Sequence, residues 1–366
     1  MKKETSIAIS AIIIQIINYL FYFLIGIYIA KKFFDYDNYF ILVILMLLAL
    51  YVINFLLIIL HEMGHLICAK ISGYKFSSFR VLDFMWVKTN NKIKLKRFSL
   101  AGTLGQCLML PPDVENPPFI LYNLGGILMN FLLFIISLIV VLLVKNPYVN
   151  TLFFISMMLN ISLIITNGIP FKNTLNNDMS NIIEYKKNKS SYKQLINSLY
   201  VQHLSINGTR PKDLDKKYYE IPEKVESLGD ANNMTVYCSI LLDEHKFEEY
   251  INTVNSFINN ENLNVIYKTM LINDLKYCYI ILDKDIKELD HLMDKNTDLV
   301  LNKMKNYPSV VRTNYTYYLL IEKDFEKANK YLNIFNKLEK TFPMIGDYFA
   351  DKELVEIATK KNNNEQ

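Results

Sequence analysis

Four long stretches of the chain are predominantly apolar and contain no Asp, Glu, Lys or Arg: residues 5–30, 39–60, 116–144 and 146–171. A helix needs about 20 mostly apolar residues to cross a bilayer, so each stretch is long enough. The pattern predicts four membrane-spanning helices, at about residues 5–30, 39–70, 118–144 and 147–170. The first is too long for a secretory signal peptide and lacks a small-residue cleavage site, so we expect it to be retained.

Polar and apolar residues alternate between the second and third stretches. Ile93 and Leu95 are interleaved with lysines, and the run follows Asn90-Asn91. A period of two around a turn predicts a short β-hairpin. It would lie at the membrane surface and could align an extended substrate by strand addition. A basic loop that meets anionic lipids explains the same residues equally well.

Residues 190–360 follow another pattern, in which charged turns separate apolar helical segments. Three of these segments align without gaps at a period of 39: residues 239–250, 278–289 and 317–328. The spacing predicts helical hairpins similar to tetratricopeptide repeats, which could bind a protein partner. A helical cap that binds no partner is the alternative.

The density of charged residues rises sharply at about residue 170. Residues 1–170 hold 13 of the 40 Lys and Arg and 7 of the 36 Asp and Glu. This contrast predicts a membrane domain over residues 1–180 and a polar domain over residues 190–360. Basic residues precede the first stretch and follow the second and fourth, which places both termini in the cytosol. We expect no nucleic-acid partner, because basic and acidic residues are interleaved in the polar domain.

The second stretch ends in the sequence His61-Glu62-Met63-Gly64-His65, an H-E-x-x-H motif. On a helix the two histidines lie on one face and could bind one metal ion. Glu62 could then act as general base toward a water that the metal activates. Ionisable residues in a membrane helix are costly and usually functional, although these three could instead reach the interface at the helix end.

These residues resemble the site-2 protease family of intramembrane zinc metalloproteases (peptidase family M50). In that family a later helix carries N-x-x-P, matched here by Asn167 to Pro170, and the following loop supplies an Asp as third zinc ligand. The resemblance implies Zn²⁺ held by His61, His65 and Asp178, with Met179 standing where Gly is usual. A solvated loop acid is the alternative interpretation of Asp178.

The third stretch contains a further match to the family, in which Gly126 is followed four residues later by Asn130. The resemblance implies that Asn130 and Asn167 hold an unwound substrate strand. Hydrogen bonding between helices is the alternative role for each asparagine.

Together these features predict an all-α polytopic membrane protein with about four transmembrane helices, a short β-hairpin at the membrane surface and a C-terminal cytosolic α-helical repeat domain. The predicted function is that of a zinc metalloprotease that cleaves a membrane protein or peptide in or next to a membrane segment. The alternative is a zinc-containing protein that binds a peptide without cleaving it, or an adaptor that acts through its cytosolic repeats. The abundance of Ile, Asn and Lys indicates a bacterial source, and the lipid bilayer is an expected partner.

Overall fold

The computed structural model describes residues 2–98, 104–113, 115–170 and 176–365. The chain forms two compact units. The first, here called the membrane unit, comprises Met1–Phe76 and Leu104–Lys187, and the second, the helical unit, comprises Ser77–Thr103 and Asn188–Gln366. Residues 77–103, which the sequence placed in the membrane domain, therefore cluster with the helical unit.

The membrane unit contains four long apolar helices: α1 (Lys2–Phe33), α2 (Tyr39–Ile71), α3 (Phe119–Leu143) and α4 (Pro147–Gly168). Each is long and apolar enough to cross a membrane, so the predicted number of four candidate membrane-spanning helices is confirmed within the described residues. Strand β4 (Gly105–Leu110) precedes α3, and the shorter helix α5 (Asp178–Lys187) follows α4.

Small and polar residues hold the long helices together, as is usual where lipid supplies no hydrophobic driving force. Gly64 of α2 lies so close to α3 that a Cβ on it would be 2.3 Å from the carbonyl oxygen of Gly125. Ser162 of α4 donates a hydrogen bond to Asn18 of α1 at 2.7 Å. The backbones of α2 and α3 therefore meet at Gly64, beside the H-E-x-x-H motif.

Three further strands form an antiparallel meander: β1 (Lys75–Val81), β2 (Phe84–Thr89) and β3 (Lys92–Arg97). Strand β2 lies in the middle and pairs with both β1 and β3. Asn90 and Asn91 both have positive φ and form a two-residue turn between paired Thr89 and Lys92, the geometry that asparagines favour. The predicted hairpin is confirmed and extended by β1. Met85 and Val87 of β2 are buried in the core of the helical unit.

The rest of the helical unit consists of eight α-helices within the described residues: α6 (Lys189–Ile206), α7 (Leu228–Asp243), α8 (Phe247–Phe257), α9 (Val265–Ile281), α10 (Lys295–Lys303), α11 (Pro308–Leu320), α12 (Phe325–Thr341) and α13 (Ile345–Glu365). Helix α7 packs on α8, and α11 packs on α12. Two of the three aligned segments, residues 239–250 and 317–328, thus each contain the end of one helix, a turn and the start of the next helix. In the middle segment a 3₁₀ helix, Ile286–Leu292, takes the place of the second α-helix.

A buried arginine links three helices of this unit. The guanidinium of Arg312 (α11) is fully buried and donates to Asp274 of α9 and Asp351 of α13. It also lies 4.4 Å from the ring centroid of Tyr277. Because two carboxylates face one cation away from water, loss of the cation would leave both uncompensated.

Substitution Arg312→Met keeps an unbranched apolar stem and removes the charge. We expect it to lower the free energy of unfolding of the helical unit by about 3–5 kcal/mol, the usual cost of breaking a buried ion pair. Urea unfolding can be followed by the fluorescence of Trp86, the single tryptophan, which lies in β2. The control Lys327→Met removes an exposed ion pair with Asp324 and should leave the midpoint nearly unchanged. An Arg312→Met midpoint equal to that of wild type would contradict this account of the core.

Candidate metal centre

Helix α2 presents both motif histidines on one face because they are four residues apart. Before His61 the helix contains no charged residue, Gly or Pro, so nothing in the sequence breaks it ahead of the motif. His61 and His65 are 8% and 7% exposed and therefore nearly withdrawn from solvent. The imidazoles lie against α3, where Gly126 leaves room for them and Gly125 lets the backbones of the two helices approach.

Asp178 reaches the histidines from the first turn of α5. Residues 171–175, part of the loop that follows Pro170, lie outside the described residues. Asn177 fixes the start of α5, since its side-chain oxygen accepts from the backbone N–H of Ser180 at 2.9 Å. Its amide nitrogen donates to the carbonyls of Thr166 and Ile169 at the end of α4. Asn177 thus caps α5 and ties it to α4, which positions Asp178.

The three side chains converge on one point. The two histidine Nε2 atoms are 3.3 Å apart. The carboxylate of Asp178 has Oδ2 3.3 Å from His61 Nε2 and Oδ1 3.4 Å from His65 Nε2. Donor atoms about 2.0–2.1 Å from a common ion at tetrahedral angles are separated by about 3.3–3.4 Å. Each of these pairwise separations is therefore one that two ligands of a common tetrahedral ion show, and each oxygen of Asp178 faces one of the two histidines.

Hydrogen bonds on the far side of each ring determine which nitrogen faces this point. Nδ1 of His65 lies 2.9 Å from the backbone carbonyl of Tyr122, and Nδ1 of His61 is hydrogen-bonded to the Oδ1 atom of Asn130. A carbonyl oxygen only accepts, so each Nδ1 carries the proton in the neutral ring. Both Nε2 lone pairs then point toward the carboxylate of Asp178, as metal ligation requires.

Asp178 has the electrostatic character of a ligand. Its Oδ2 atom is buried without a hydrogen-bond partner in the part of the chain that the structure describes. Burial by itself would raise the pKa of this carboxyl, but the facing rings of His65 and His61, when they are protonated in the absence of a metal ion, outweigh it and lower the pKa below its ordinary value. The group is therefore an anion that faces two nitrogen donors, a set that fits Zn²⁺.

Glu62 lies one position further round α2 and is half-buried. Its carboxyl packs against the backbone of Gly105 in β4, where a Cβ would be 2.4 Å from Glu62 Oε1. Any larger residue at position 105 would displace this carboxyl. Helix α2 and strand β4 together therefore hold a carboxylate beside the metal-binding face.

Comparison with protein families gives a match of residues 45–342 to the model of peptidase family M50. The chain belongs to peptidase family M50. Comparison with curated proteins and with solved structures gives no significant match. Members of family M50 are peptidases, and the match together with the four apolar helices supports a membrane-embedded protease. The family uses zinc, and the His61, His65 and Asp178 group of this M50 protein has the donor atoms to bind such an ion.

The other two predicted site residues have different surroundings in this M50 protein. Asn130 is fully buried, and its amide is hydrogen-bonded to His61 and to Asn160. Asn167 is half-buried in the last turn of α4 and donates to the carbonyl of Leu163 at 3.1 Å. The structure thus brings Asn130 to the histidines, whereas the hydrogen bond of Asn167 stays within its own helix.

Sequence reasoning did not identify several residues that shape the site. Asn160 interrupts an apolar run in α4, and a polar residue within a span was the signal that could have identified it. Asn177 immediately precedes Asp178, and its preference for helix N-caps was the signal in that case. The roles of Gly105 and Gly126 depend on which side chains face them. Which side chains face these glycines is known only from the packing of the folded chain.

Gly126 leaves the space that the two imidazoles occupy. A Cβ at this position would lie 2.4 Å from His61 Nε2 and 2.6 Å from His65 Nε2. We expect Gly126→Ala to push the rings apart and weaken zinc binding by at least about tenfold. Competition with a chromophoric chelator measures this affinity in the purified protein. Gly26→Ala is the matched control, because a Cβ there meets nothing within 4 Å; equal affinities for the two variants would contradict the assigned metal position.

Proposed function

We propose that this M50 protein is an intramembrane zinc metalloprotease that hydrolyses a peptide bond in or next to a membrane segment of a protein or peptide substrate. The observation that carries the proposal is the convergence of His61, His65 and Asp178, whose nearest nitrogen and oxygen atoms are 3.3–3.4 Å apart in each pair. The adjacent carboxylate of Glu62 supports catalysis in addition to binding. Family membership and four apolar helices support the membrane setting.

In this proposal His61, His65 and Asp178 hold the zinc ion. Zinc, when bound, supplies Lewis-acid activation of water and of the scissile carbonyl group. The carboxylate of Asp178 supplies negative charge, and the two neutral imidazoles supply nitrogen donors. This ligand set leaves a fourth position for water or substrate, as catalytic zinc sites do.

Glu62 is the proposed general base. Its carboxylate removes a proton from the attacking water as the water oxygen bonds to the carbonyl carbon of the substrate. The protonated carboxyl then delivers this proton to the amide nitrogen as the C–N bond breaks, so the amine leaves neutral. The contact with Gly105 restricts the carboxyl to one side of the site, and this restriction supports the role.

The substrate segment must be extended where it is cut, because the amides of an intact helix are shielded by their own hydrogen bonds. Asn167, near the end of α4, is the proposed residue that helps hold the unwound strand. The substrate contact predicted for Asn130 stays a proposal, but its amide is already engaged by His61 and Asn160. A positioning role for Asn130 is therefore favoured.

The proposed orientation places both termini in the cytosol, since Lys and Arg are concentrated at the start of α1, after α2 and after α4. The H-E-x-x-H motif then lies at the cytosolic end of α2, and α5 begins on the same side. Helical hairpins such as α7–α8 and α11–α12 support the proposal that the cytosolic part binds a protein partner.

A cleavage assay combined with zinc analysis tests this function. Purified protein is incubated with single-span reporter proteins whose spans contain helix-destabilising Gly and Pro, and products are identified by mass spectrometry. We expect Glu62→Gln to retain zinc and to cleave about 10²–10⁴-fold more slowly, because the proton acceptor is lost. Asp178→Ala should lose both zinc and cleavage, whereas the control Glu184→Gln, also on α5, should retain both.

Two outcomes would contradict the proposal. Cleavage by Glu62→Gln at the wild-type rate would exclude Glu62 as the base, and wild-type zinc affinity in Asp178→Ala would exclude Asp178 as a ligand. Zinc binding without cleavage of any reporter by the wild-type protein would favour the alternative of a non-catalytic peptide-binding protein.

A further inference from the structure

Two asparagines connect the motif histidine His61 to the backbone of α4. Asn130 of α3 and Asn160 of α4 are both fully buried. The Nδ2 atom of Asn130 donates to Oδ1 of Asn160 at 2.9 Å, and the Nδ2 atom of Asn160 donates to the backbone carbonyl of Ser156 at 2.8 Å. With the hydrogen bond between His61 and Asn130, this gives a continuous chain across α2, α3 and α4.

The direction of this chain is dictated by its far end. The carbonyl of Ser156 can only accept a hydrogen bond, so Asn160 must turn its NH₂ group toward it and its oxygen toward Asn130. Asn130 must then turn its NH₂ group toward Asn160 and its oxygen toward His61. The Nδ1 atom of His61 faces an acceptor and therefore carries the proton. A flip of either amide would place two acceptors or two donors against each other at fully buried positions, where an unsatisfied polar group is costly.

We propose that Asn160, through Asn130, is a positioning residue that holds His61 in the Nδ1–H tautomer and so keeps its Nε2 lone pair directed at the metal position. This inference rests on the proposed function in one respect, namely that the site binds a metal ion. His65 does not need such a chain, because the backbone carbonyl of Tyr122 accepts directly from its Nδ1.

Removal of Asn160 should release the amide of Asn130. The Asn130 NH₂ group would lose its acceptor and could turn toward His61, where it would favour an unprotonated Nδ1 and hence a proton on Nε2. A protonated Nε2 cannot bind a metal ion. Loss of partners that orient a ligand histidine typically costs 10–100-fold in metal affinity.

The variant Asn160→Leu tests this proposal, with Asn150→Leu as matched control. Asn150 is also a buried asparagine of α4, and its amide donates to the carbonyls of Val141 and Val144 in and beyond α3. Both variants lose buried hydrogen bonds between the same two helices, but only Asn160 is linked to His61. Asn160→Asp, in the neutral form that burial favours, retains an acceptor for Asn130 and an O–H donor for the carbonyl of Ser156, and serves as the conservative variant.

The first measurement is the tautomer of His61 by ¹⁵N NMR of histidine-labelled, metal-free protein, in buffer alkaline enough to keep both motif imidazoles neutral. The chain has five histidines, and His61→Gln assigns the signal. We expect the Nδ1–H form in wild type, in Asn150→Leu and in Asn160→Asp, and a substantial Nε2–H population in Asn160→Leu. The second measurement is Co²⁺ affinity by chelator competition, expected to fall about 10–100-fold in Asn160→Leu only.

An Nε2–H form of His61 in the wild-type protein would overturn the proposal without requiring any variant to fold. The same conclusion would follow if the tautomer were unchanged in Asn160→Leu, or if Asn150→Leu lowered Co²⁺ affinity equally. Because the tautomer is measured without metal or substrate, its result is separate from the outcome of the cleavage assay.

Discussion

Two imidazole lone pairs and a carboxylate face one another across 3.3–3.4 Å in a nearly solvent-free part of the membrane unit. Three electron-rich groups at this distance repel one another, and burial makes the repulsion stronger than it would be in water. Only a cation, either a metal ion or protons, can offset it. This requirement explains why the side chains that surround the centre are so closely constrained: each one either directs a lone pair toward the common point or keeps that point open.

The packing of the membrane unit follows from this requirement. Gly125 and Gly126 let α3 approach α2 closely enough to place the imidazoles without filling the space between them. Asn177 ties α5 to the end of α4, so the carboxylate of Asp178 arrives at the point where the histidines already lie. Polar groups inside a span are expensive unless they are satisfied, and here the hydrogen bonds that satisfy them also orient the proposed ligands.

The features of this arrangement that depend on local geometry could be predicted from the sequence. The four spans follow from apolar composition, and the common face of His61 and His65 follows from the helical period. Asp178 came from the resemblance to family M50, and the structure places it beside the histidines. Asn160, Asn177 and Gly126 could not be assigned, because their roles depend on the register between helices, which single-chain periodicity does not encode. For the same reason the sequence could not show that residues 77–98 pack with the helical unit, or that Ile286–Leu292 forms a 3₁₀ helix.

The most direct test of the central claim is the position of the metal itself. Crystals of the zinc-loaded protein can be measured with X-rays just above and just below the zinc absorption edge, so that the anomalous difference locates the ion. The account predicts one strong peak about 2.0–2.2 Å from Nε2 of His61, Nε2 of His65 and a carboxylate oxygen of Asp178. A zinc peak bound to other side chains, or a zinc-loaded site that leaves Asp178 outside the coordination sphere, would contradict it.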